Sequence, residues 1–295
     1  MSESGAQRNR SESRDVKISI VTDIHNGEAS RHCPHVRDAG YAIIRAVEQF
    51  VDHASDGGAD VLLDLGDRID DFDHDRDTAA AKALAPAFIR FPRERVQILG
   101  NHDVMNLTRV ENEQIFDCSL ASRIIDLGEF RLIAWQPDVA FNYEKGCFPP
   151  TSGHLGWLVQ ALLEDDRPAV IATHVSLAGR AQTGNYYHHF QPTYSTYPDH
   201  EAVRAAVEKT GRAAIWLAGH SHWNTWTNIS NVHHFTIQSM TERFTTYPKT
   251  AGSYADLIVE KDQFTLQVFG NDPFYIRLPF QRSSEQFWLP PVVRR

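Results

Sequence analysis

The chain has 295 residues, 42% of them apolar and 11% aromatic, which is enough to bury a sizeable core. Its 29 Lys and Arg stand against 38 Asp and Glu, a net charge of −9 that argues against binding extended nucleic acid or an anionic membrane surface, since both need a basic face. The three cysteines, Cys33, Cys118 and Cys147, show no paired spacing and indicate a reducing compartment.

Residues 1–15 are Ser-, Glu- and Arg-rich and read as a disordered polar tail, without the apolar core of a signal peptide. Nowhere do eighteen apolar residues run together, so the expectation is a soluble, cytoplasmic protein with no membrane contact. A domain is expected over 16–280, because no Pro/Gly/Ser-rich linker divides it, with 281–295 as a C-terminal extension. In chain order the pattern predicts a strand at 16–22, a helix over about Tyr41 to Ala54, and a strand at 61–65. An Ala-rich helix before Phe91 and a strand at 96–99 follow. Then come a helix opened by Thr151 and Ser152, a strand at 169–173, a helix over about His200 to Lys209 and a strand at 214–218. After residue 225 only strands are expected, at 232–237, 254–260 and 264–270, and these are candidates for a second sheet.

Each buried strand of the first part runs into polar residues. The first leads to Asp23-Ile24-His25, the second to Gly66-Asp67-Arg68-Ile69-Asp70, and the third to Gly100-Asn101-His102-Asp103. The strand at 169–173 leads to His174, and that at 214–218 to Gly219-His220-Ser221-His222. Ligand sites of α/β sheets lie beyond the carboxyl ends of strands, so five such ends converge on one place. A set of Asp, Asn and His without thiolate suits Mn²⁺, Fe or Zn²⁺. The Asp-x-His and His-x-His spacings are expected to aim both members the same way along an extended segment.

The ordered set Asp23-x-His25, Gly66-Asp67-x-x-Asp70, Gly100-Asn101-His102-Asp103, His174 and Gly219-His220-x-His222 resembles the calcineurin-like metallophosphoesterases. The resemblance implies an α/β fold, a four-layer αββα sandwich of two mixed sheets flanked by helices, and two divalent metal ions. It implies Asp23, His25, Asp67 and His222 as ligands of the first metal, and Asp67, Asn101, His174 and His220 as ligands of the second, with Asp67 bridging. Two such cations clamp and ionise a bridging water that attacks phosphorus. The leaving group then needs a proton, for which His102 is the candidate, with Asp70 as its pairing carboxylate by the same resemblance. Asp103 is expected to support the turn.

The double-histidine ending is most similar to the bacterial branch of cyclic-nucleotide phosphodiesterases and glycerophosphodiesterases, although the glycine usual after Asp70 is replaced by the acidic run DDFDHDRD, read as a solvated loop. The expected partner is a small phosphodiester. A phosphomonoesterase, a nucleotide pyrophosphatase and a non-enzymatic binding scaffold are the alternatives, and homo-oligomerisation stays open. Asn26, Arg68, Tyr186, His188 and His189 are the candidate substrate contacts, the last three on an aromatic segment at 180–198. RHCPH at 31–35 is a candidate for the entrance, and Trp223 is expected in the core.

Overall fold

The computed structural model describes residues 14–27, 37, 43–180 and 182–280; the tail, the 31–35 segment and the C-terminal extension lie outside the described residues, apart from Arg14 and Asp15. The β-branched run at the start forms β1 (Val16–Val21), parallel to β2 (Val61–Asp64), which is parallel to β3 (Glu94–Gln97). Helices α1 (Ile43–Asp56), α2 (His74–Ile89) and α3 (Arg109–Phe116) cover the outer face, and Val47, Phe50, Leu84, Phe88 and Phe116 are buried there beside Leu62. A hairpin of β4 (Arg123–Leu127) and β5 (Phe130–Ala134) opens the second sheet. The strands β6 (Ala169–Ala172), β7 (Ala213–Ala218) and β9 (Val232–Thr236) then add in parallel, with β8 (Thr225–Ile229) on the edge. On its outer face α4 (Ser152–Leu163) and α5 (His200–Glu208) bury Leu158, Leu162, Val203 and Val207 against Trp135 and Trp216.

The two sheets, each of six strands, face one another across a core of alternating inward residues. Ile18, Ile20, Leu63 and Val96 from one meet Leu132, Val170, Ile215 and Phe235 from the other. Near-continuous apolar strands are explained by this, because one face meets the other sheet and the opposite face meets helices.

The late strands do not form the second sheet by themselves. β10 (Tyr254–Val259) pairs antiparallel with β1, and β11 (Gln263–Phe269) and β12 (Phe274–Pro279) extend that first sheet, whereas β8 and β9 join the second. The reason is register. The inward set Ala255, Leu257 and Val259 continues the core face of β1, and Val232 and Phe235 complete layers begun by β7. The sequence pattern does not single out α3, the β4–β5 hairpin, β8 or β12. The β12 strand is amphipathic and half exposed, and α3 is only eight residues long, set by a Thr108–Glu111 capping box.

Candidate metal centre

The parallel strands of both sheets end on the same side, and their continuations interlock beyond the last ladder bonds. Asp23 N donates to Gly66 O (2.9 Å), His25 N to Asp67 O (3.0 Å) and Gly219 N to His174 O (2.9 Å). Asp23, His25, Asp67, His220 and His222 all have φ between 49° and 64°. The Asp-x-His and His-x-His pairs are therefore not extended, contrary to the spacing argument. Each is a left-handed bend, and such bends in non-glycine residues cost roughly 1–3 kcal/mol apiece and persist where the surroundings hold them. Five in one place make it the candidate site. Two glycines let the strand ends approach: a Cβ on Gly100 would lie 2.1 Å from Asp67 Oδ1, and one on Gly219 would lie 2.0 Å from Thr22 Oγ1.

The seven sequence-predicted ligands come together. His222 Nε2 stands 3.1 Å from both Asp23 Oδ1 and His25 Nε2, and His25 Nε2 is 3.8 Å from Asp67 Oδ2. His174 Nε2 is 3.3 Å from Asp67 Oδ2 and 3.3 Å from Asn101 Oδ1, and His220 joins this second group. Asp67 Oδ2 faces both groups. Ligand atoms about 2.1 Å from one cation stand about 3.0–3.4 Å apart at octahedral or tetrahedral angles, so the spacings suit two divalent ions sharing Asp67. The charge balance agrees. Burial works against charge on both rings, yet Asp23 and then Glu242 push His222 up to about 9, and Asp67 and then Asp23 push His174 up to about 9. Burial would raise Asp23, but His222 and His174 hold it well below the carboxylate range. Protons held between converging acids and imidazoles are what a cation displaces on binding.

Asp103 is a support. Its carboxylate accepts from the backbone N–H groups of Asp67 (3.0 Å), Arg68 (2.9 Å) and Gly100 (2.9 Å), pinning two ligand turns together. His102, half-buried beside the ligands, receives its carboxylate from Asp71: His102 Nδ1 and Asp71 Oδ1 are 2.5 Å apart. This corrects the expected pairing with Asp70, whose Oδ1 instead faces His25 Nδ1 at 3.3 Å and accepts from Arg37. The acidic run is thus not a solvated loop. Asp71 serves His102, Asp73 caps α2 by accepting from Arg76 N (2.9 Å), and His74 to Asp77 are already helical.

Arg68 is corrected as well. It is fully buried between Asp64 (3.1 Å) and Asp103 (3.2 Å), over the Phe116 ring, with no exposed surface to offer a substrate. Asn26 donates to Ala80 O (2.9 Å) and lines a cavity of about 240 Å³ with Gly27, Asp70, Phe72 and Arg76. In the 180–198 segment His188 is buried with its ring 5.1 Å from that of His220, Tyr186 is exposed near Phe244, and exposed His189 accepts from Gly184 N within its own loop. Trp223 is half-buried against Phe244 rather than a core residue. The same segment positions His220 through the Tyr194 carbonyl, 2.8 Å from Nε2. Glu242, buried and 3.0 Å from His222 Nδ1, carries no sequence signal, since it follows no strand directly and repeats no motif.

Two packed sheets with a paired Asp/His/Asn cluster at their carboxyl ends define an αββα sandwich with a candidate dinuclear metal centre. The chain belongs to the calcineurin-like phosphoesterase family, whose model matches residues 16–224. A dimetal phosphatase from Danio rerio superposes with a TM-score of 0.74 at 14% identity, over 90% of this chain and 99% of its own. A purple acid phosphatase from yellow lupin seeds gives 0.58 at 13% identity, over 96% of this chain and 58% of its own. GAP50 of Plasmodium, described as the anchor in the inner membrane complex, gives 0.58 at 8% identity, over 92% and 90%. No curated protein sequence matches the chain. Among the described residues no helix is long and apolar enough to cross a membrane.

Proposed function

We propose that the protein is a dinuclear metal-dependent phosphoester hydrolase acting on a small phosphodiester. The observation that carries this reading is the convergence of Asp23, His25, Asp67, His222, Asn101, His174 and His220 into two groups sharing Asp67, with His102 alongside. When bound, the two cations polarise the phosphoryl oxygens and ionise the attacking water, so no Ser or Cys nucleophile is required. His102, held by Asp71, donates a proton to the departing alkoxide from its Nε2. Asp103 keeps the turns of Asp67 and Asn101 in register.

A singly charged diester suits the surroundings better than a dianionic monoester. Among the described residues the two buried arginines beside the site, Arg37 and Arg68, each face two carboxylates, so their charge is already balanced and does not favour a second phosphate charge. A phosphomonoesterase or a nucleotide pyrophosphatase uses the same ligands and is the second reading, favoured by the superposition on a dimetal phosphatase. The fold also occurs in an anchor protein, so it is the complete ligand set, not the fold, that speaks for an enzyme over a binding scaffold.

The test offers the protein loaded with Mn²⁺, Fe²⁺ or Zn²⁺ four substrates side by side: bis(p-nitrophenyl) phosphate, p-nitrophenyl phosphate, cyclic AMP and a nucleotide diphosphate. Preferential turnover of the two diesters is expected. Preference for the monoester or the diphosphate moves the protein to the second reading, and inactivity on all four refutes the proposal.

A further inference from the structure

The outer nitrogens of the four site histidines face two different kinds of group. On the second-metal side they meet neutral carbonyls: His174 Nδ1 stands 2.8 Å from Leu65 O, and His220 Nε2 stands 2.8 Å from Tyr194 O. On the first-metal side they face carboxylates: Glu242 Oε1 is hydrogen-bonded to His222 Nδ1 at 3.0 Å, and Asp70 Oδ1 stands 3.3 Å from His25 Nδ1 as a charge neighbour without hydrogen-bond alignment. Arg37 joins the two acids, its NH1 donating to Asp70 and its Nε standing 3.4 Å from Glu242 Oε1. The circuit closes inside, where the Nε2 atoms of His25 and His222 are 3.1 Å apart. All five residues are buried, and the Tyr187 hydroxyl donates a further bond to Glu242 Oε1 (2.5 Å).

A carboxylate on the outer nitrogen of a metal-binding imidazole keeps the proton there, fixes the ring and strengthens donation from the inner nitrogen. A carbonyl fixes the ring without adding charge. The guanidinium of Arg37 lets two acids sit side by side in a buried place without repelling one another. From this asymmetry, and resting on the dinuclear reading of the site, we infer that Arg37, Asp70 and Glu242 form a positioning clamp that makes the Asp23/His25/Asp67/His222 position the tighter of the two, filled first. The clamp acts through His25 and His222, the two imidazoles that Asp70 and Glu242 face.

The test is calorimetric titration of the metal-free full chain with Mn²⁺ alone as probe. The unsubstituted protein shows two classes of site. Glu242→Gln weakens the tighter class about 10- to 100-fold, the usual effect of removing such a partner, and leaves the weaker class in place. Arg37→Lys keeps the charge but cannot span both carboxylates, so it weakens the same class by a smaller factor. His174→Ala removes the weaker class. Thermal melts followed by circular dichroism establish that each variant folds, and if Glu242→Gln does not, Arg37→Lys decides. Equal weakening of both classes by the clamp variants, or loss of the tighter class in His174→Ala, overturns the inference. Absence of any Mn²⁺ binding by the folded unsubstituted protein overturns the metal-centre reading, and this inference with it.

Discussion

Neighbours in sequence, His102 and Asp103, are proposed to have different roles, and replacing Asp103 tests the supporting one. Its carboxylate receives three backbone N–H groups from two ligand turns and lies 3.2 Å from the Arg68 guanidinium, all in buried surroundings. Asp103→Ala leaves three buried donors without an acceptor, each costing about 1–3 kcal/mol, while Arg68 keeps Asp64 at 3.1 Å. With partial relaxation and a water entering the space, the expected loss is roughly 3–6 kcal/mol, a large share of the ordinary 5–15 kcal/mol of a folded domain. Asp103→Asn keeps the shape and one accepting oxygen and should lose about half as much. The assay is urea unfolding followed by circular dichroism on metal-free protein, so that linkage to bound ions does not enter. A loss below about 1 kcal/mol for the alanine variant would refute the reasoning, since it would mean that the three N–H groups find other partners.

His102→Ala should retain both metals by elemental analysis and the unfolding midpoint of the parent, while turnover of bis(p-nitrophenyl) phosphate falls about 10²- to 10⁴-fold. An emptied metal position would show that His102 is a ligand instead. Asp71→Asn should lower kcat with Mn²⁺ affinity unchanged, whereas Asp70→Asn should weaken Mn²⁺ binding, because Asp71 pairs with His102 and Asp70 faces His25; the reverse pattern would restore the pairing expected from the motif. His234, stacked on Trp216 in β9, is pushed down to about 3, chiefly by burial and also by Arg204 and His233. The unfolded chain takes up this proton near 6.5 and the folded one does not, so its contribution is complete above that pH and is lost as pH falls towards about 3. His234→Gln should therefore flatten the loss of stability between about pH 6.5 and pH 5 by about 2 kcal/mol, read from urea midpoints at both pH values; an unchanged slope would count against a neutral buried ring.

Strand positions and strand-end ligands were legible because both are local. An apolar run of four to six residues that stops at Asp, Asn or His announces a buried strand and its polar exit, and five such exits, three of them opened by a glycine, recur in order from Asp23 to His222. What ordered them into a site is not local. The left-handed bends at Asp23, His25, Asp67, His220 and His222 arise only when both sheets press their ends together, with Gly100 and Gly219 permitting the approach. The carboxylate on His102 proved to be Asp71, one residue from the expected Asp70, because the turn before α2 presents Asp71 to His102 while Asp70 faces His25 and Arg37. Glu242 reaches His222 from beyond β9, and the late strands divide between the sheets according to which core face they complete. Sequence by itself pointed to the residues that converge on the candidate metal centre, since Asp, Asn and His recur at particular strand ends in the order that resembles the family's motifs. Only the tertiary structure decided which acids stand behind them, because an outer hydrogen bond needs a partner at the right distance and accepts it from any part of the chain.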